Sequence, residues 1–218
     1  MQKKNDSKVL IELSKLIIPC ILGLGVVGAV GFLLGTAMRI KYWPLVFMYF
    51  FPPLGKETVI PLGIASGIHP ILMASSIAFV DIIVALFLVW NYDLAKRIPL
   101  IGSFMIKVEE KGHGIEDKYA WIRPLRFIGI VLFVMIPFQG SGGFVGSIVG
   151  RLIGMRPWTT FIAISTGAVT GCLLVATFSN IFIELAKINT VLTVILIVII
   201  AVIITIYFAV KKLKKKCK

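Results

Sequence analysis

Long stretches of this sequence carry no charged residue, and this feature limits its fold more than any other. Residues 16–38 and 188–210 each run for 23 positions without a charge, and residues 157–183 form a third stretch of this kind. About 20 apolar residues in a helix are enough to cross the hydrocarbon core of a bilayer. Pro70–Trp90 is equally apolar and contains a single charge. The sequence therefore predicts an all-α integral membrane protein with four transmembrane helices.

The composition agrees with the membrane class and excludes others. Of the 218 residues, 58% are hydrophobic and 15% are charged, whereas soluble domains average about 25% charged residues. The net charge of +13 would indicate nucleic acid on a soluble chain. Membrane proteins, however, collect basic residues in their cytoplasmic segments, so we expect no nucleic-acid partner. Three scattered cysteines indicate neither a disulfide framework nor a metal site, and we expect no cofactor.

Two further apolar stretches are broken by proline and glycine. Residues 42–55 end in Pro-Pro-Leu-Gly and meet a Lys-Glu pair, and residues 58–67 follow as a second short piece. Neither piece is long enough to cross, so together they predict a re-entrant hairpin that enters and leaves the membrane on one side. Residues 127–150 repeat this pattern, broken at residues 136–143. Each predicted hairpin is followed by a full transmembrane helix.

The two copies indicate an internal repeat. Pro52 matches Pro137 at an offset of 85 residues, and Pro70 matches Pro157 at an offset of 87. Since each hairpin returns to its own side, the helices that follow would cross in opposite directions, which makes the repeats inverted. We therefore expect one transmembrane domain over 1–218. It would contain a first repeat at about 42–90, a cytoplasmic loop at 91–126, a second repeat at about 127–183, and flanking helices at 16–38 and 188–210.

The distribution of basic residues supports this topology. The predicted topology places 19 of the 23 Lys and Arg residues on one face. That face is formed by the N-terminus, the loop, the edge near Arg151 and Arg156, and the C-terminal tail. The positive-inside rule makes that face cytoplasmic. We therefore expect a multi-pass protein of the cell membrane with both termini in the cytoplasm. Within the loop, the spacing of apolar residues at 101, 104, 105 and 108 predicts an amphipathic surface helix.

Residues 51–67 (FPPLGKETVIPLGIASG) and 133–146 (FVMIPFQGSGGFVG) resemble the two signature blocks of the small multi-drug export protein family. That family looks like a branch of the larger DedA (VTT) superfamily, whose members carry two facing re-entrant hairpins. The resemblance covers about residues 44–176. It implies lipid movement across the bilayer, polyprenyl-phosphate carriers included, with proton coupling in some members.

The resemblance also implies roles for particular residues. Glu57 would be the acid of the first hairpin, and residues 140–143 would form the turn of the second. DedA proteins carry arginines beside the proline of the second hairpin, whereas this chain has Gln139 near that position. Lys56 and Arg151 are the candidate substitutes.

Charged residues inside the apolar stretches are the candidate site. Asp81 lies at the centre of a span, where a carboxylate costs about 3 kcal/mol on insertion scales and usually faces a cavity or a partner. It would either carry a proton or form a structural hydrogen bond. Lys56 and Glu57 lie at the break of the first hairpin, where transporters place binding groups, unless the hairpin is shallow. Arg151 would hold an anionic head group, pair with an acid, or extend to the membrane edge.

The turn of the second hairpin is a candidate anion site. Gly140 and Gly142 offer backbone N–H groups near a helix start, and Gln139 and Ser141 add side-chain donors. The alternative is that glycine only permits a tight turn. Small residues recur at every fourth position in the second half of the second hairpin and again in the span that follows it. We interpret both stripes as surfaces for helix packing. They comprise residues 142, 146, 150 and 154, and residues 163, 167 and 171.

These observations favour a transporter that moves an amphipathic lipid or a lipid-phosphate head group, with protons as a candidate coupling ion. One alternative is export of small amphiphilic cations, and another is a non-transporting membrane scaffold. An enzyme is not expected, because Ser141 and His69 do not form a recognisable nucleophile motif. Membrane lipids are the expected partners, and homo-oligomerisation stays open.

Overall fold

The computed structural model describes residues 2–51, 54–92, 122–137 and 142–188, and Ile199. Side chains are described from Leu13 in the first range and from Leu125 in the third. These residues contain seven helices and no strand. The chain divides into two compact units, Met1–Ala176 and Thr177–Lys218, and the site described below belongs to the first. The predicted surface helix at 101–108 lies outside the described residues. Nearly all of the last predicted span, at 188–210, also lies outside the described residues.

Three helices are long and apolar enough to cross a membrane. They are α1 (Gln2–Leu33), through its segment Leu13–Leu33, α4 (Pro70–Trp90) and α7 (Pro157–Ile188). Large apolar side chains such as Leu24 and Ile162 are exposed on them, as expected for surfaces that contact lipid rather than water. Three of the four predicted transmembrane helices are therefore confirmed by length and composition.

The first charge-free run does not form one helix. Helix α1 ends at Leu33, and α2 (Thr36–Met48) begins after Gly35, whose backbone is extended with ψ 153°. The guanidinium of Arg39 donates a hydrogen bond to the Phe32 carbonyl at 2.7 Å. This bond satisfies a carbonyl that has no partner within the helix. The predicted end at residue 38 is thus five residues too late, because absence of charge does not ensure helical continuity.

Four shorter helices form two pairs. The first pair is α2 with α3 (Lys56–Ala65), and the second is α5 (Ile122–Met135) with α6 (Gly143–Leu152). Helices α3 and α6 have 10 residues each, a rise of about 15 Å, which is half of the hydrocarbon thickness. Neither can cross alone. Both helices begin after a glycine with extended backbone, where the sequence predicts the two breaks.

The predicted repeat offset recurs in the structure. Helices α3 and α6 have equal length and start 87 positions apart. The second residue after each helix is a glycine with positive φ, Gly67 at 92° and Gly154 at 79°, a conformation that glycine adopts without strain. Lys41 of α2 donates to the Ser66 carbonyl at 2.9 Å, and Arg126 of α5 donates to the Ile153 carbonyl at 3.0 Å. The two pairs therefore share the length of the second helix, the glycine that follows it and a capping bond from the first helix.

Small residues allow α5 and α7 to pack closely. A Cβ atom on Gly167 would lie 2.7 Å from the Val131 carbonyl oxygen, and one on Gly171 would lie 2.7 Å from that of Met135. On α6, a Cβ atom on Gly146 would lie 2.7 Å from the Val134 side chain. These glycines therefore pack helices of the same chain against each other, as the sequence pattern predicts.

Candidate functional site

Asp81 is the central residue of the candidate site. It lies in the middle of α4, and only 2% of its surface is exposed. Its Oδ1 atom accepts a hydrogen bond from the Tyr49 hydroxyl at 2.6 Å and another from the Gly143 backbone N–H at 2.8 Å. Tyr49 follows α2, and Gly143 is the first residue of α6. One carboxylate thus joins the two breaks and a membrane-spanning helix.

The bond to Gly143 supplies a missing helix cap. Gly142 has no side chain, so α6 begins without a side-chain cap of its own. Its first N–H groups have no partner within the helix and carry partial positive charge. The Asp81 carboxylate, on the neighbouring helix α4, accepts the Gly143 N–H and offsets the partial positive charge. Glycine is required at the first helical position, because a Cβ atom on Gly143 would collide with the backbone carbonyl of Asp81.

Lys56, the first residue of α3, reaches the C-terminal end of α5. Only 2% of its surface is exposed, and its ammonium donates a hydrogen bond to the Val134 carbonyl. That carbonyl belongs to the last turn of α5, where the helix dipole is negative. Opposite charges from α3 and α4 therefore face the two ends of the α5–α6 break, and Lys56 and Asp81 attract each other. We call Tyr49, Lys56, Asp81 and Gly143 the Asp81 cluster.

Among the residues that the structure describes, two carboxylate oxygens near the two helix breaks have no hydrogen-bond partner. They are Asp81 Oδ2 and Glu57 Oε2, and both atoms are buried. Glu57 lies in the first turn of α3 with its carboxylate beside Gly55. Buried polar atoms are nearly always paired, so unpartnered acceptors are able to take a proton, a cation or a donor from a ligand. Among the described residues, no group of His, Cys, Asp and Glu is arranged to hold a metal ion.

The other predicted site residues are placed differently. Arg151 lies in the last turn of α6, eight residues or about 12 Å from Gly143 along the helix. Its guanidinium donates to the Met155 carbonyl at 3.0 Å and stacks on the Tyr92 ring at 4.6 Å. Arg151 therefore stabilises the far end of α6. Gln139, Gly140 and Ser141 lie outside the described residues.

Sequence reasoning did not single out Tyr49, Cys172 or the Val134 carbonyl. Cys172 of α7 is fully buried, and its thiol is close enough to interact with the charges of Asp81 and Lys56. Tyr49 carried a usable signal, because a tyrosine in an apolar stretch needs a partner for its hydroxyl. The Val134 carbonyl carried none, since any residue supplies a carbonyl.

The fold and this site define a multi-helix membrane protein in which a break between two short helices meets a buried charged cluster. The family model described as "Putative small multi-drug export protein" matches residues 57–174, just over half of the chain. The chain therefore belongs to this family. The matched region begins at Glu57 and contains Asp81 and the α5–α6 break. No curated protein and no solved structure matches the chain.

Proposed function

We propose that this protein is a membrane transporter in which the Asp81 cluster lies on the path of a substrate head group. The observation that carries the proposal is the burial of Lys56 and Asp81, each 2% exposed, at a helix break beside the spanning helix α4. Ionisable residues inside a membrane are expensive and mark substrate or ion pathways. Transporters place such pathways where helices are interrupted.

We further propose a DedA-type architecture. The pairs α2–α3 and α5–α6 would be re-entrant hairpins, and the shared helix ends at Gly67 and Gly154 support their origin as one repeated unit. The topology would be inverted, with both termini cytoplasmic in the cell membrane, because that arrangement collects most basic residues on one face.

The proposed substrate is an amphipathic lipid with an anionic head group. The Lys56 ammonium and the N-terminus of α6 both favour negative charge. Gln139 and Ser141 would add donors, and Arg151 would guide the head group at the cytoplasmic end of α6. The tail of the lipid would stay in the bilayer. Asp81 or Glu57 would carry protons through the oxygens that have no partner.

A second candidate function is the export of small amphiphilic cations. The description of the family favours it. The unpartnered carboxylate oxygens of Asp81 and Glu57 do so as well, because they would bind a cation directly.

The test is lipid flipping by protein reconstituted in liposomes. Head-group-labelled phospholipid and polyprenyl-phosphate analogues are followed by quencher accessibility, with wild type, Glu57→Gln and Asp81→Asn compared side by side. The matched control is Glu184→Gln, an exposed acid that accepts a hydrogen bond from Asn180. The proposal requires flipping by wild type and control, and loss in at least one site variant.

Two other results would replace the proposal. Wild type that flips neither lipid but takes up tetraphenylphosphonium, with loss of uptake in Asp81→Asn, would establish cation export. Wild type that transports nothing while correctly folded would favour a scaffold. In that case, substitutions of the basic tail at 211–218 would change cellular function, and substitutions of the Asp81 cluster would not.

A further inference from the structure

The Asp81 cluster resembles an anion site that is already filled. A helix N-terminus and a buried ammonium converge near the α5–α6 break, and both stabilise negative charge. The negative charge is supplied by the chain itself, through Asp81 Oδ1 on the Gly143 N–H. A phosphate or carboxylate head group would present the same kind of oxygen to the same donor.

We propose that the Asp81 carboxylate is an internal substitute for the anionic head group, and that a proton on Asp81 lets the head group take its place on the N-terminus of α6. This inference rests on the proposed transport function and specifies how the same site is controlled. It commits to a phosphate-bearing ligand that binds together with one proton.

The atom that accepts the proton is identified by its contacts. In the described part of the chain, Asp81 Oδ2 is buried and has no partner, whereas Oδ1 accepts hydrogen bonds from two donors. A proton from the aqueous side can therefore bind Oδ2 without first breaking a hydrogen bond. Once the carboxyl group is neutral, its bond to Gly143 loses the charge assistance that made it strong, and an ionised phosphate becomes the better acceptor.

Charge balance gives the exchange its direction. A buried ammonium without a nearby negative charge is costly. When Asp81 is neutral, Lys56 loses the attraction of this neighbour. An incoming anion restores a negative charge beside Lys56. Proton and anion would then occupy the cluster together, and loss of the proton would return Asp81 to Gly143 and expel the anion.

Other helices place titratable groups near Asp81 as well. Tyr49 after α2 donates to Asp81, and Cys172 on α7 lies within reach of its charge. Glu57 on α3 interacts with Tyr49 and places its own carboxylate at the start of α3. The segment 16–33 of α1, which packs on α4, carries no charge. Asp81 is therefore the acid that holds the α6 terminus.

The experiment measures anion binding as a function of pH. Full-length protein is placed in nanodiscs of zwitterionic phosphatidylcholine and titrated calorimetrically with dihexanoyl phosphatidic acid and, separately, with inorganic phosphate. Binding coupled to one proton strengthens by about tenfold for each pH unit lowered through the titration range. Asp81→Ala removes the internal substitute, so it should bind at least as tightly as acidified wild type, with no slope. Tyr49→Phe should strengthen binding and keep the slope, and Glu184→Gln should match wild type.

The two ligands separate the sources of the phosphate group. Binding of both supports a site for any phosphate, and binding of phosphatidate alone supports a lipid head group. Wild-type binding of phosphatidate without a pH slope overturns the inference and requires no variant. Loss of phosphatidate binding in correctly folded Asp81→Ala also overturns it, because Asp81 would then be a ligand rather than a competitor. Flipping by protein that shows either result would leave the proposed function intact. The expected slopes in protein that flips no lipid would instead refute that function.

Discussion

The bond between Tyr49 and Asp81 allows a quantitative test of the cluster. Asp81→Ala leaves the Tyr49 hydroxyl and the Gly143 N–H without their shared acceptor. An unpaired buried donor costs about 1–3 kcal/mol, and the partly buried Tyr49 hydroxyl should add less, so the variant should lose about 2–4 kcal/mol of unfolding free energy. Tyr49→Phe alone removes one hydrogen bond to a charged group, which is worth about 1.5–3 kcal/mol.

The double variant gives the decisive result. In the Asp81→Ala background the Tyr49 hydroxyl is already unpaired, so Tyr49→Phe should be neutral or stabilising there. The expected coupling free energy between Tyr49 and Asp81 is about 2 kcal/mol. Independent sites deviate from additivity by only about 0.5 kcal/mol. Unfolding free energies are measured by denaturant titration in detergent micelles. As a reference cycle, Ser75→Ala replaces Asp81→Ala, because Ser75 is exposed and donates to the Leu72 carbonyl within its own helix α4. Additive effects of Tyr49→Phe and Asp81→Ala would refute the described geometry.

Three further predictions concern packing and capping. Gly167→Ala should lower the unfolding free energy by about 1–3 kcal/mol, because its Cβ would meet the backbone of α5. Gly129→Ala lies in open space and should raise the unfolding free energy by up to about 1 kcal/mol. Thermal unfolding compares the two variants. Lys41→Met and Arg126→Met remove equivalent caps and should each lower the unfolding free energy by about 0.5–1.5 kcal/mol; a loss in only one would contradict the repeat. Lys56→Met leaves the Val134 carbonyl unpaired and should cost about 1–3 kcal/mol; unchanged stability to denaturant would contradict that contact.

The sequence predicted much of the architecture because the relevant signals are local. Charge-free runs identify spans through the energetics of insertion, and proline and glycine mark where helices are interrupted. The offsets of 85 and 87 between prolines recur in the capping bonds of Lys41 and Arg126. The end of α1 was misplaced because Gly35 interrupts a run that hydropathy treats as continuous.

The site was predicted only in part because its contacts are distant in the chain. Asp81 was identified by its position inside a span, which is a local signal. Its partners Tyr49 and Gly143 lie 32 and 62 residues away, and the Val134 carbonyl lies 78 residues from Lys56. Periodicity and composition carry no information about such pairings. Arg151 was predicted from its charge inside an apolar segment and from the family resemblance, and its observed contacts are with Met155 and Tyr92 at the far end of α6.

The most direct test of the central claim is a disulfide cross-link between α4 and the start of α6. A Cβ atom on Gly142 would lie 3.7 Å from Asp81 Cγ, so the pair Asp81→Cys and Gly142→Cys should form a bond on oxidation. The native cysteines are replaced by serine, and a protease site is inserted between the two positions. We expect the cleaved halves to stay joined without reductant and to separate with it. The pair Asp81→Cys and Gly129→Cys, in which Gly129 has no neighbour within 4 Å, should give separated halves under both conditions. Halves that separate without reductant in the first pair as well would show that Asp81 does not meet the break, and the account would be wrong.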